Sequence, residues 1–78
     1  MNEVELRKNV CNALENSGFY INIENGDEEL YFDSIQFISA IVEIEQIFQI
    51  SVPNEYLSAE NLNNFNEYCE MISLLIAS

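Results

Sequence analysis

The segment SIQFISAIVEIEQIF, residues 34–48, constrains the fold more than any other part of the chain. It holds no Gly or Pro, and its apolar residues recur at helical spacing, which predicts an α-helix. That helix must end before Pro53, since the residue preceding a proline is pushed away from helical dihedrals. At about 100° per residue, Phe37, Ala40, Ile41, Ile44, Ile47 and Phe48 share one broad face, the core side, while Gln36, Ser39, Glu43 and Gln46 gather opposite. Ile35, Ile38 and Val42 form a second apolar stripe, on the flank that carries Ser34 at its start and Glu45 lower down. A helix that buries one face has no need of this second stripe. Either the core wraps further round and covers it, or it stays open beside Ser34 as a surface where a partner docks. Residue type and period fit both.

Two further helices supply the cover for the broad face. In residues 2–16, NEVELRKNVCNALEN, the residues Leu6, Val10, Ala13 and Leu14 share one helical face, with Ser17-Gly18 after the end. Toward the C-terminus, Asn64 and Glu67 form a capping-box pattern, and Phe65, Tyr68, Cys69, Ile72 and Ile76 recur at helical spacing. Residues 18–33 carry no clean period and read as a long ordered loop around ENGDEE; the alternation from Phe19 to Ile23 also fits a short strand. Residues 51–64, SVPNEYLSAENLNN, read as loop with one short helical turn around Ala59 to Leu62. A chain of 78 residues allows one domain, so the expectation is a single all-α unit over 1–78 with three long helices and one short.

The charge balance excludes several function classes. Fourteen acidic residues against Arg7 and Lys8 give a formal charge of −12, with no histidine. Nucleic acid binds through Lys and Arg that this chain lacks, and an anionic membrane surface is disfavoured for the same reason. A soluble acidic surface and steering toward basic patches on partners both fit the charge. No stretch has the length of a membrane span and no N-terminal segment has signal-peptide character, so a cytoplasmic, monomeric protein is expected. Cys11 and Cys69 lie among apolar neighbours without metal-like spacing and are expected as buried free thiols. With no histidine, no nucleophile–base pair and no metal cluster, the carboxylates lack partners for catalysis, and an enzyme is not expected. A calcium-binding loop is suggested by NIENGDEE, but aligning Gly26 with the loop glycine puts Ile21, Ile23 and Phe32 at ligand positions.

Asp33 suits the N-cap of the central helix, with Gln36 completing a capping box. Ser34 then falls at the first helical position, where its hydroxyl is not needed by the helix end and where open amides suit a phosphoryl group. On these grounds alone a plain surface serine is favoured, because serines at helix starts are common.

The segment ELYFDSI, followed by a helix and then FQISVP, resembles the acyl carrier protein family, with its related peptidyl carrier domains. In that family the serine of an Asp-Ser-Leu motif carries a 4′-phosphopantetheine arm, and Asp33-Ser34-Ile35 matches it with Ile for Leu. Phe48, Ile50, Val52 and Pro53 match the family's segment after its second helix, and Leu62-Asn63-Asn64-Phe65 matches the approach to its last helix. The resemblance runs from Leu6 to Ile76. Tyr31 departs from it, standing where the family often has glycine, and Ser39 and Gln46 replace acids common in fatty-acid carriers.

The resemblance implies a four-helix bundle whose Ser34 receives the arm from coenzyme A through a phosphopantetheinyl transferase, which holds the Mg²⁺. An acyl or aminoacyl cargo would ride as a thioester on the arm, in a fatty acid, polyketide or nonribosomal peptide type of pathway. Ile35, Ile38 and Val42 would be the docking stripe, with Asp33, Glu43 and Glu45 meeting basic residues of transferase, ligase, synthase or thioesterase partners. Leu30, Phe37, Ile41, Ile44, Phe48 and Phe65 would line the core. The rival reading is an acidic helical interaction module whose Ser34 is never modified.

Overall fold

The computed structural model describes residues 2–58 and 62–77. Helix α1 spans Glu3–Asn16, and Asn2 caps it by accepting a hydrogen bond from the Glu5 N–H at 2.8 Å. Its far end closes on Gly18, whose φ of 93° lets the Phe19 N–H reach the Leu14 carbonyl and the Gly18 N–H reach that of Glu15. This is the left-handed glycine stop, which satisfies carbonyls a bare helix end leaves open. The chain then drops Phe19 straight into the core.

Helix α2 spans Ser34–Phe48 and ends on Gln49, which takes the left-handed conformation at φ 54°. Helix α3 spans Phe65–Ala77. Short 3-10 turns at Ile23–Asn25 and Asn54–Tyr56 interrupt the connecting loops. The described residues contain no strand, so the alternation of Phe19 to Ile23 serves a loop, burying Phe19 and half-burying Ile21. The short helical turn expected around Ala59 to Leu62 falls mostly outside the described residues; Leu62 itself is buried and non-helical. The described fold is therefore all-helical, with three α-helices. A Cα radius of gyration of 11.1 Å is that of a compact chain of this length.

Both α2 and α3 pack most extensively against α1. Leu6, Val10, Cys11, Ala13 and Leu14 of α1 meet Ala40, Ile41 and Ile44 of α2 and Phe65, Tyr68, Cys69, Met71 and Ile72 of α3 in one buried cluster. Two wheel assignments shift. Ile47 and Ile76 are partly exposed, Ile47 at the margin of its helix's apolar face and Ile76 in the last turn of α3, while Met71 joins the core. The 18–33 loop is fastened to the start of α3: Leu30 N–H donates to the Asn63 carbonyl at 2.7 Å and Asn66 N–H to that of Gly26 at 3.0 Å. Gly26 is needed there because a Cβ would run into the Asn66 side chain. Asn66 in turn accepts a bond from Arg7 Nη2 at 3.0 Å, and the Arg7 guanidinium lies 4.8 Å from the Phe65 ring centroid. One of the chain's two cations thus ties α1 to α3 at Asn66, the residue whose backbone N–H also holds the loop. At α3 the Asn64 cap accepts from the Glu67 N–H at 2.9 Å, but the reciprocal bond to Glu67 comes from the Asn64 side-chain amide, not its backbone.

Cys11 and Cys69 are free and buried, as residue type and surroundings imply. Burial pushes the Cys69 thiol up to about 11, and burial with help from Glu15 raises that of Cys11. The Tyr68 phenol is raised as well, chiefly by burial, and its hydroxyl has no hydrogen-bond partner among the described residues.

Two outcomes are expected. Tyr68→Phe removes a buried hydroxyl that makes no bond, so it should raise stability by about 1 kcal/mol, seen as a higher thermal midpoint. An acid whose folded-state pKa is raised holds its proton more tightly folded than unfolded, so its contribution is intact below the ordinary value and lost as pH rises through the folded one. For Cys69, with Cys11 and Tyr68 acting in the same direction, the urea midpoint should hold near neutrality and fall from pH 9.0 toward about 11.

Candidate functional site

Three aromatic rings set the approach to α2. Phe19 and Phe32 have centroids 5.2 Å apart, and Phe32 stacks on Phe37 at 5.7 Å. Phe19 also meets Tyr68 edge-on at 6.3 Å. This ladder runs from the end of α1, through the residue before Asp33, to the first turn of α2, so the chain entering the helix is held from below by packed rings.

Asp33 and Gln36 then fix the helix start. Asp33 Oδ1 accepts from the Gln36 N–H at 2.7 Å, and Gln36 Oε1 accepts from the Asp33 N–H at 3.1 Å, completing the expected capping box. The same Gln36 side chain donates through Nε2 to the Gly18 carbonyl at 3.2 Å. A single amide therefore joins the stop of α1 to the start of α2. Spacing showed the local half of this arrangement; the long-range half depends on the loop folding back and has no sequence signature. The turn into α2 needs no left-handed residue, since Gln49 is the one described non-glycine residue at positive φ. Tyr31 stands without backbone strain where a glycine is common in the family the motif resembles.

Ser34 is the first residue of α2 and is exposed. Asp33 occupies the cap, and the Ser34 hydroxyl has no hydrogen-bond partner among the described residues. The Gln36 N–H is taken by the Asp33 side chain and the Phe37 N–H by the Asp33 carbonyl at 3.0 Å. The Ser34 and Ile35 amides remain the open donors of this helix end, beside a free hydroxyl and the positive pole of the helix dipole. A phosphoryl group on the Ser34 oxygen fits such a setting.

The second stripe of α2 is left uncovered. Ile35 is 74% exposed, Ile38 62% and Val42 45%, so the core does not wrap round this flank. Ser34, Ile35, Ile38 and Val42 lie together on the open side of the helix, with the half-buried Glu43 next to Val42. Glu45 is placed differently from its wheel neighbours. It is half-buried, and its Oε2 accepts from the Val52 N–H at 2.8 Å, fastening the segment after α2 to the helix. It sits where the open flank meets the core, which explains the inward turn.

No group of three or more His, Cys, Asp or Glu side chains among the described residues is arranged to hold a metal ion. No helix among them is long and apolar enough to cross a membrane. Comparison of the chain with protein-family models, curated proteins and solved structures finds no match.

Gln36 and the stripe should respond oppositely to substitution. Gln36→Ala removes half of the capping box and the bond to Gly18 and should lower stability by about 1–2 kcal/mol. Ile35→Ser and Ile38→Ser, on an open surface, should stay within about 0.5 kcal/mol of the parent in the same urea titration.

Proposed function

We propose that this chain is a carrier protein that holds an acyl or aminoacyl intermediate as a thioester on a 4′-phosphopantetheine arm attached to Ser34. The observation that carries this reading is an exposed serine at the first position of α2, its hydroxyl unengaged because Asp33 already caps the helix, beside an uncovered apolar stripe. The chain would be a substrate of its modifying enzyme and not itself an enzyme. Its all-helical frame with a long loop ahead of α2 supports a small four-helix bundle of acyl-carrier type, whose short fourth helix, expected around Ala59 to Leu62, falls mostly outside the described residues.

In this role the protein supplies the nucleophilic oxygen and the docking surface. A phosphopantetheinyl transferase brings coenzyme A and Mg²⁺; the Ser34 oxygen bonds to the phosphorus bearing the arm as the bond to the nucleotide portion breaks. The arm supplies the thiol that bears the cargo. Ile35, Ile38 and Val42 give each partner an apolar contact, and Asp33, Glu43 and Glu45 add negative charge near it. Asp33 and Glu45 each hold a backbone N–H through one carboxylate oxygen, so their geometry is fixed before a partner arrives. A net charge of −12 favours fast, salt-sensitive encounters with basic patches, which suits a protein that must release one partner before meeting the next. The same exposed stripe also suits an acidic helical interaction module whose serine is never modified, and one experiment separates the two.

Intact mass is measured after incubation with coenzyme A, Mg²⁺ and a promiscuous transferase. The folded wild-type chain should gain one phosphopantetheine and Ser34→Ala none, while Ile38→Asp should slow the gain by roughly tenfold or more by placing a charge in the apolar contact. A folded wild type that gains no mass with several active transferases leaves the interaction module as the reading.

A further inference from the structure

A second surface feature lies outside the α2 flank. Tyr20 and Tyr31 are 91% and 86% exposed, the most open of the large apolar side chains among the described residues. They come from opposite ends of the long loop, yet both line one small cleft of about 130 Å³, together with Asn25, Glu28, Glu29 and Leu30. Neither ring is spent on the aromatic ladder, which uses Phe19, Phe32, Phe37 and Tyr68. Neither of the chain's cations lines the cleft, and Arg7 is held by Asn66 and Phe65. Glu28 accepts one bond, from Asn25 Nδ2 at 3.2 Å through Oε2, which fixes its carboxylate. The loop carrying these residues is itself held, by Leu30 to Asn63 and by Gly26 to Asn66.

Tyr20 and Tyr31 leave two ring faces open to solvent, and these flank the Glu28 and Glu29 carboxylates in a cleft that no cation lines among the described residues. A planar guanidinium is the group that satisfies both, stacking on a ring face while its N–H donors meet a carboxylate. The volume limits the occupant: ligand pockets run to about 300–1,000 Å³, whereas a cleft of about 130 Å³ takes one side-chain head group. We propose that the Tyr20–Tyr31 cleft is a docking point for an arginine side chain on a partner protein, separate from the Ile35/Ile38/Val42 stripe. Tyr31 lies three residues before Ser34, so a partner reaching that serine can engage the cleft and the stripe together. The inference does not depend on the modification of Ser34; it stands on the cleft alone.

The test is an amide NMR titration of the intact chain with an acetylated, amidated pentapeptide carrying one central arginine between glycines and alanines, and with its glutamine counterpart. The arginine peptide should shift signals from residues 19–31, weaken with added salt, and lose about fivefold or more in affinity in Tyr20→Leu/Tyr31→Leu, which keeps apolar area and removes the ring faces. Glu28→Gln/Glu29→Gln should lose a similar factor, and the glutamine peptide should leave the spectrum unchanged. Both variants alter exposed residues, so a parent-like spectrum will confirm folding. Shifts spread evenly over the acidic surface, equal binding by the Tyr→Leu variant, or tyrosine-dependent binding to neutral phosphatidylcholine vesicles without response to the arginine peptide would each overturn the proposal.

Discussion

The hinge of this structure is the Gln36 side-chain amide. Its oxygen takes the Asp33 N–H and its nitrogen reaches the Gly18 carbonyl, so the stop of one helix and the start of the next are fixed relative to each other. The intervening loop can then be long without being loose, because its ends are set and its middle is tied to α3. The placement of Ser34 follows from this. Asp33 is committed to the cap, the helix points its open amides and the serine hydroxyl outward, and the Phe19–Phe32–Phe37 ladder holds the approach from beneath.

The scarcity of cations gives Arg7 unusual weight. With 14 acids and two bases, there are too few cations to pair most carboxylates, and the fold cannot rely on ion pairs for cohesion. Arg7 is spent at one junction, on the Asn66 amide and the Phe65 ring, where α1, the long loop and α3 converge. Cohesion elsewhere comes from apolar burial and from backbone bonds made by loop residues. The exposed surface that remains is acidic with apolar patches on it; in the proposed role, that combination would attract basic partners at long range and hold them by short-range contact.

How far the site could be read beforehand differs residue by residue. The cap by Asp33 and Gln36, and the position of Ser34 one residue inside it, are local features of spacing and appeared as expected. The covering of α2 was not legible: Ile35, Ile38 and Val42 have the composition of core residues, and whether anything packs on them depends on where α1, α3 and the loops lie. Glu45 shows the same limit. Its place on the wheel put it with the open flank, but the chain after Gln49 turns back so that the Val52 N–H meets its carboxylate. Tyr20 and Tyr31 are separated by ten residues of aperiodic loop, and nothing in their spacing places them at one cleft.

What the sequence by itself determined are the local elements: three helices by the period of their apolar residues, limits set by Gly18, Asp33 and Asn64, and a net charge of −12. These follow from interactions within a few residues, whose geometry the backbone fixes. Tertiary structure alone decided which apolar side chains are covered and which are offered to solvent, which acids are used internally, and how the long loop is held against α3. Those outcomes depend on which surfaces meet after the chain has turned back on itself, and residues far apart in the sequence carry no spacing that encodes the meeting.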